Sequence, residues 1–128
     1  MKILLDTQAF LWLSSDNKKL SKTARETFLN EKNNFFLSLV SIWEMSIKSS
    51  LGKLKFRSSM ERFILNESQE NNIEQMTITF QHVIKVQTLP FYHRDPFDRL
   101  LVAQALIEDI PILSSDAALE KYGVNRIW

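Results

Sequence analysis

Short apolar runs without in–out alternation constrain this chain most. "KILL" (2–5), "FFLSL" (35–39) and "IPIL" (110–113) are apolar at nearly every position. A strand with one wet face alternates apolar and polar residues, so these runs read as strands buried on both faces. Such strands belong to parallel sheets covered by helices.

The segments between the runs read as helices. "KILLD" is the first strand, and "TQAFLWLSS" follows as a helix. Ser21 caps a helix over "LSKTARETFLNEK", where Ala24, Phe28 and Leu29 share one face. Asn33 and Asn34 turn the chain into a second strand, Phe35–Leu39. Helices over "SIWEMSIKSSLGKL" and "SSMERFILNESQENN" precede a third strand, "IEQMTIT". "FQHVIKVQTLP" is a helix stopped by Pro90, and "DPFDRLLVAQALIED" is a helix with Leu100, Leu101, Ala103, Ala105 and Leu106 as its apolar residues. "IPILSS" is a fourth strand, "DAALEKY" a short helix and "VNRIW" an edge strand. The pattern predicts an α/β fold: a three-layer α/β/α sandwich around a mainly parallel sheet, in a single domain over residues 1–128.

Composition narrows the function. The absence of cysteine excludes disulfides and thiolate metal sites and agrees with a reducing compartment. The net charge of +1 argues against a whole-protein basic field that binds nucleic acid non-specifically. Basic residues still cluster locally, as Lys48, Lys53, Lys55 and Arg57, and as His93, Arg94 and Arg99 around "DPFD". Asp6 and Gln8 interrupt any signal-peptide core after Lys2. No run reaches the roughly 18 apolar residues that a membrane span needs. The expectation is a soluble cytoplasmic protein with no membrane partner.

In an open parallel sheet, ligands bind at the carboxyl ends of the strands. Five acids are expected there. Asp6 ends the first strand, and Glu44 lies early in the helix after the second. Asp95 and Asp98 open the long helix, and Asp116 follows the fourth strand. Most have a structural reading. "SIWE" matches a capping box, with Ser41 as cap and Glu44 reaching back. In "DPFD", Asp95 caps, Pro96 takes the first helical position and Asp98 meets the helix dipole. Asp116 can cap "AALEKY". Asp6 has the weakest structural motive, because a charge at the end of a buried strand gains little.

Capping explains these acids singly but not their shared edge. Crowded carboxylates repel unless a cation neutralises them, and an oxygen donor set without cysteine suits Mg²⁺ or Mn²⁺. Such a site suits phosphodiester hydrolysis, since a divalent ion acidifies water and offsets charge on the phosphate. The other residues read more plainly. His82 is packed or at the surface, and His93 reads first as a surface loop residue, with contact to substrate as the alternative. Lys48, four residues after Glu44, makes a helix ion pair or a phosphate contact. Trp12, Trp43 and most phenylalanines are core.

The ordered motifs resemble the PIN-domain ribonucleases, and in particular VapC-type toxins of bacterial toxin–antitoxin pairs. "LLDTQAFLWL" resembles the family's opening strand and helix, with its first metal-binding acid at Asp6. "SLVSIWEMSIKSSLGKL" is similar to the segment carrying the second acid, Glu44. "HRDPFDRLLVAQA" resembles the third motif in a register that selects Asp98 and leaves Asp95 as an extra acid or a cap. "ILSSDAAL" resembles the last, with Asp116. The chain departs at Gln8, where the family usually has "DTH" or "DTS".

The resemblance implies an endoribonuclease using one or two Mg²⁺ or Mn²⁺ ions, held inactive by a cognate antitoxin and forming a homodimer. Asp6, Glu44, Asp98 and Asp116 would hold the metal. Thr7 and Ser115 would orient ligands or water, and Arg94, Arg99 and Lys48 would contact backbone phosphates of the RNA. An apolar groove involving Trp12, Leu13, Leu51, Leu54 and Phe56 would receive an antitoxin helix, unless those residues are core. A haloacid-dehalogenase-type phosphatase would need an acid where Gln8 stands. A receiver-like signalling domain would need paired acids after the first strand. An inert scaffold would use every acid as a cap and bind no metal.

Overall fold

The computed structural model describes residues 1–128 and centres on a five-stranded, all-parallel sheet in the order β3-β2-β1-β4-β5. The middle strand, β1 (Lys2–Leu5), pairs with β2 (Asn34–Ser38) on one side and β4 (Ile112–Leu113) on the other. β3 (Ile73–Met76) lies outside β2, and β5 (Arg126–Ile127) lies outside β4. The connections comprise α1 (Thr7–Ser15), α2 (Lys22–Leu29), α3 (Leu39–Ser50), α4 (Met60–Glu70), α5 (Phe80–Gln87) and α6 (Pro96–Glu108). A 3₁₀ helix, Ala117–Tyr122, joins β4 to β5.

The three inner strands, β2, β1 and β4, are largely buried on both faces, as their apolar runs require, while the outer strands β3 and β5 are only partly covered. Ile3, Leu5, Phe35 and Leu37 join Phe10 of α1, Ala24 of α2 and Ile64 of α4 in one core. Leu4 and Ile112 join Leu101, Val102 and Ala105 of α6 and Leu119 of the 3₁₀ helix in the other. Successive strand residues feed opposite cores because side chains alternate across a sheet. The predicted three-layer sandwich is therefore the observed one.

The boundaries differ in informative places. The second strand ends at Ser38, and Leu39 already begins α3. Ser38 Oγ accepts the Val40 N–H at 3.0 Å, so Ser38 caps this helix. Ser41 is instead buried within α3, where it accepts the Thr7 hydroxyl at 2.8 Å. The "SIWE" capping box therefore does not form. Strand and helix meet there without a loop, and an apolar Leu39 serves either element. The third strand ends at Met76, and Thr79 caps α5.

The strand order places a cleft. From β1 the chain winds to β2 and β3 in one direction, while β4 and β5 lie in the other. Connections diverge between β1 and β4, which opens a crevice at their carboxyl ends. Asp6 and Ser114 immediately follow these two strands. No helix is long and apolar enough to cross a membrane.

Candidate active site

Asp6 enters the site as a continuation of the sheet. Its backbone N–H bonds to the Leu113 carbonyl at 3.0 Å, fixing the ends of β1 and β4 together. Its buried carboxylate accepts the Ser114 hydroxyl at 2.6 Å and, more loosely, the Gln8 N–H at 3.4 Å. Asp6 thus caps α1, a structural role that the strand-end reading missed. Burial pushes its pKa above the usual 3.8; the Ser114 and Gln8 bonds oppose this, while Glu44 and Asp116 add to it.

Glu44 reaches the same region from α3, which packs against α6. Its Oε2 accepts Lys48 Nζ at 2.8 Å, the i,i+4 ion pair anticipated from spacing. Its buried Oε1 has no hydrogen-bond partner. The Lys48 pKa is raised, first by this bond and also by the nearby charges of Asp95 and Asp98.

The start of α6 supplies two more acids. Asp95 caps it, with Oδ1 accepting Phe97 N–H at 2.8 Å and Asp98 N–H at 3.3 Å, and Pro96 takes the first helical position. Asp98 sits in the first turn, and burial pushes its pKa up to about 7. The charges of Asp6, Asp95 and Glu44 reinforce that rise, and His93 opposes it.

Asp116 caps the 3₁₀ helix through Oδ1, which accepts the Ala118 N–H at 3.0 Å. Its Oδ2 lies 2.9 Å from His93 Nε2, and Asp98 Oδ2 lies 3.2 Å from the same nitrogen. One ligand atom each from His93, Asp98 and Asp116 falls within 4.8 Å of the others. Ser114 Oγ accepts the Asp116 N–H at 3.1 Å while donating to Asp6, so one hydroxyl ties two acids together.

Asp6, Glu44, Asp98 and Asp116 therefore come from four separate segments and act on one another electrostatically. The oxygen-rich donor set, the mutual repulsion and the orphaned Glu44 oxygen all fit a hard divalent cation. Among the supporting residues the outcome is mixed. Ser115 is exposed, and Ser114 makes the contact with Asp6, because adjacent residues leaving a strand point to opposite sides. Thr7 is turned to Ser41. Arg94 is exposed between His93 and Asp95.

Arg99 is not available to substrate. It is buried, and its guanidinium donates to the carbonyls of Pro90, Val86 and Leu89 and to the Tyr122 hydroxyl. One position beyond Asp98, helical rotation carries it away from the cleft. His82 is also buried, closing the capping box of α5. His93 is the site residue that the sequence undervalued; its signal was its place two residues before a helix-capping aspartate. A groove of about 580 Å³ runs separately between α1, residues 54–58 and α4, lined in part by Leu11, Trp12, Leu54, Phe56 and Phe63. Leu13 and Leu51 lie outside it.

The raised Asp98 pKa has a measurable consequence without metal. A carboxyl with a raised folded pKa stabilises fully below its unfolded value of 3.8, and that contribution is lost as pH rises through about 7. Asp98→Asn should therefore melt above wild type at pH 8 in chelator, by about 4 °C for roughly 1 kcal/mol after solvent screening. The gap should close near pH 4. Equal melting points at pH 8 would contradict the repulsion described here.

The PIN domain family model matches residues 3–125. Among curated proteins, none matches this sequence. The fold is similar to that of VapBC2 from Rickettsia felis bound to a DNA fragment of its promoter, with a TM-score of 0.74, 11% identity and 100% of both chains covered. It is also similar to DNA-bound VapBC from Salmonella typhimurium, with a TM-score of 0.66, 16% identity, and 98% of this chain and 96% of that chain covered. A toxin–antitoxin complex from Klebsiella pneumoniae gives a TM-score of 0.60 at 15% identity, covering 89% and 86%. The receiver-like and phosphatase readings fall with the family match, which spans nearly the whole sequence: the chain belongs to the PIN domain family.

Proposed function

We propose that this chain is a divalent-metal-dependent endoribonuclease, the VapC-type toxin of a toxin–antitoxin pair. The observation that supports the proposal most is that four carboxylates from separate segments lie close enough to act on one another electrostatically, one of them, Glu44, with a buried oxygen that has no partner. Capping accounts for Asp95 and in part for Asp6 and Asp116, but it leaves Glu44 Oε1 without a purpose.

Asp6, Glu44, Asp98 and Asp116 hold one Mg²⁺ or Mn²⁺ ion, or two. When bound, the ion acidifies water and offsets negative charge on the scissile phosphate. Ser114 fixes Asp6 and Asp116 relative to each other, the task first assigned to Ser115. Asp95 orients the first turn of α6 and so aims Asp98. Lys48 neutralises one oxygen of Glu44, and with Arg94 it offers positive charge to the RNA backbone.

Support for an antitoxin partner comes from the VapBC complexes that share this fold. The groove beside Trp12 and Phe56 is the place for an antitoxin helix. We assign the protein to the cytoplasm, as a single domain that forms a homodimer. The test is incubation of the purified chain with a mixed RNA pool in Mg²⁺ or Mn²⁺. The expected result is discrete fragments that disappear in EDTA. Intact RNA under every condition would count against a nuclease.

A further inference from the structure

We propose that Phe91 and Tyr92 form a stacking subsite for an unpaired RNA base at the rim of the acidic cleft. The inference rests on the nuclease reading above and names the part of the substrate that this rim would hold. Phe91 is 85% exposed and Tyr92 51%. Exposed apolar residues are ordinary when scattered singly, but these two adjacent rings stand on a rigid support. Arg99 Cζ stacks 4.4 Å from the centre of the Phe91 ring. That guanidinium is itself buried and held by the carbonyls of Val86, Leu89 and Pro90. Tyr92 packs edge-on against Tyr122, with ring centres 5.2 Å apart and planes at 64°. The Tyr122 hydroxyl accepts both the His93 N–H at 2.9 Å and Arg99 Nη1 at 3.3 Å. One small network therefore fixes both rings before anything binds.

The same loop sets the rings beside the acids. The next residue, His93, lies 2.9 Å from Asp116 Oδ2 and 3.2 Å from Asp98 Oδ2. The Cα atoms of Phe91 and Tyr92 are within about 7.6 Å of that of His93. A strand with one phosphate in the cleft brings its neighbouring nucleotides to this loop. The surroundings indicate what covers the rings. Trp43, Ile47 and Leu51 recur at helical spacing along α3 and its C-cap as a longer exposed apolar stripe, which suits a protein partner. Phe91 and Tyr92 instead follow a proline and precede His93 and an exposed Arg94. Aromatic rings next to positive charge suit single-stranded nucleic acid, with rings taking base faces and cations taking phosphates. Rings held in advance lose little freedom when a base stacks on them. A base inside a duplex already has neighbours on its faces, so the subsite selects unpaired segments.

Fluorescence anisotropy of a labelled, random-sequence single-stranded RNA of about twelve nucleotides tests this, read in chelator so that the strand stays whole. An RNA duplex of the same length is the comparison. Both side chains are largely exposed, so removing them leaves the core intact. Phe91→Ala is expected to weaken single-strand binding about tenfold and duplex binding less than about twofold. Tyr92→Ala should show the same preference to a smaller degree. Phe91→Trp should keep single-strand binding and Phe91→Leu should lose it. Arg94→Ala should weaken both RNAs alike, as a phosphate contact does. A single-strand loss under about twofold in Phe91→Ala, or an equal loss on both RNAs, would overturn the inference. Full binding by Phe91→Leu would do the same. So would dissociation of a wild-type dimer by Phe91→Ala on a sizing column, which would assign the rings to a second copy of the chain. Failure of the wild-type chain to bind either RNA, in chelator or with Mg²⁺, would overturn the nuclease reading itself, and this inference with it.

Discussion

Asp6→Asn should abolish RNA cleavage, lowering the rate by about a thousandfold, or roughly 4 kcal/mol of transition-state stabilisation. The loss should not come from unfolding. An asparagine keeps an oxygen for the Gln8 N–H and an amide that can pair with the Ser114 hydroxyl. It also removes a charge whose ionisation burial already opposes. Metal-free Asp6→Asn should accordingly melt at or above the wild-type temperature near pH 8. Cleavage within tenfold of wild type would leave Asp6 as a helix cap and nothing more.

Arg99→Ala should produce the largest loss of stability among substitutions near the site. The guanidinium satisfies three backbone carbonyls and a tyrosine hydroxyl, and its Cζ stacks 4.4 Å from the centre of the Phe91 ring. Alanine would leave the Leu89 and Pro90 carbonyls short of a donor at the turn between α5 and α6, while the Val86 carbonyl keeps the Leu89 N–H. The expected cost is about 3 kcal/mol, or roughly a 10 °C fall in melting temperature. Arg94→Ala should leave the melting temperature within about 1 °C of wild type, because its exposed side chain supports nothing in the fold. Thermal unfolding of the two variants side by side checks the contrast. Equal stability would mean that the Arg99 contacts carry no net weight.

The contrast between these neighbouring arginines shows where sequence reading stops. "HRDPFDR" presents both as equal candidates for phosphate. Whether a guanidinium faces water or backbone depends on how the loop at 88–93 folds over α6, which no local pattern encodes. Ser114 and Ser115 pose the same difficulty, since a one-residue register decides which hydroxyl meets Asp6. His93 was legible as a residue of the right loop, but its place between Asp98 and Asp116 was not.

What was legible rested on periodicity and chemistry together. Apolar runs without alternation required strands covered on both faces, and the two cores on either side of β1 bear that out. The strand ends were readable because an acid follows β1 and another follows β4. Helix grammar read "DPFD" correctly down to the cap and the proline. It misread "SIWE" because Ser38 and Ser41 are both credible caps, and only burial of Ser41 against Thr7 separates them. The lesson of Asp6 is that cap and site residue are compatible: the geometry that offers a carboxylate to a helix N-terminus also presents it to the cleft.

Calorimetric titration of Mn²⁺ into the metal-free chain at pH 8, beside Asp6→Asn, tests the central claim most directly. The account predicts saturable binding by the wild type at one or two ions per chain, weakened at least about tenfold in the variant. No heat of binding in the wild type, with no rise in melting temperature on adding the ion, would contradict it. The gathered acids would then be helix caps that happen to share an edge of the sheet.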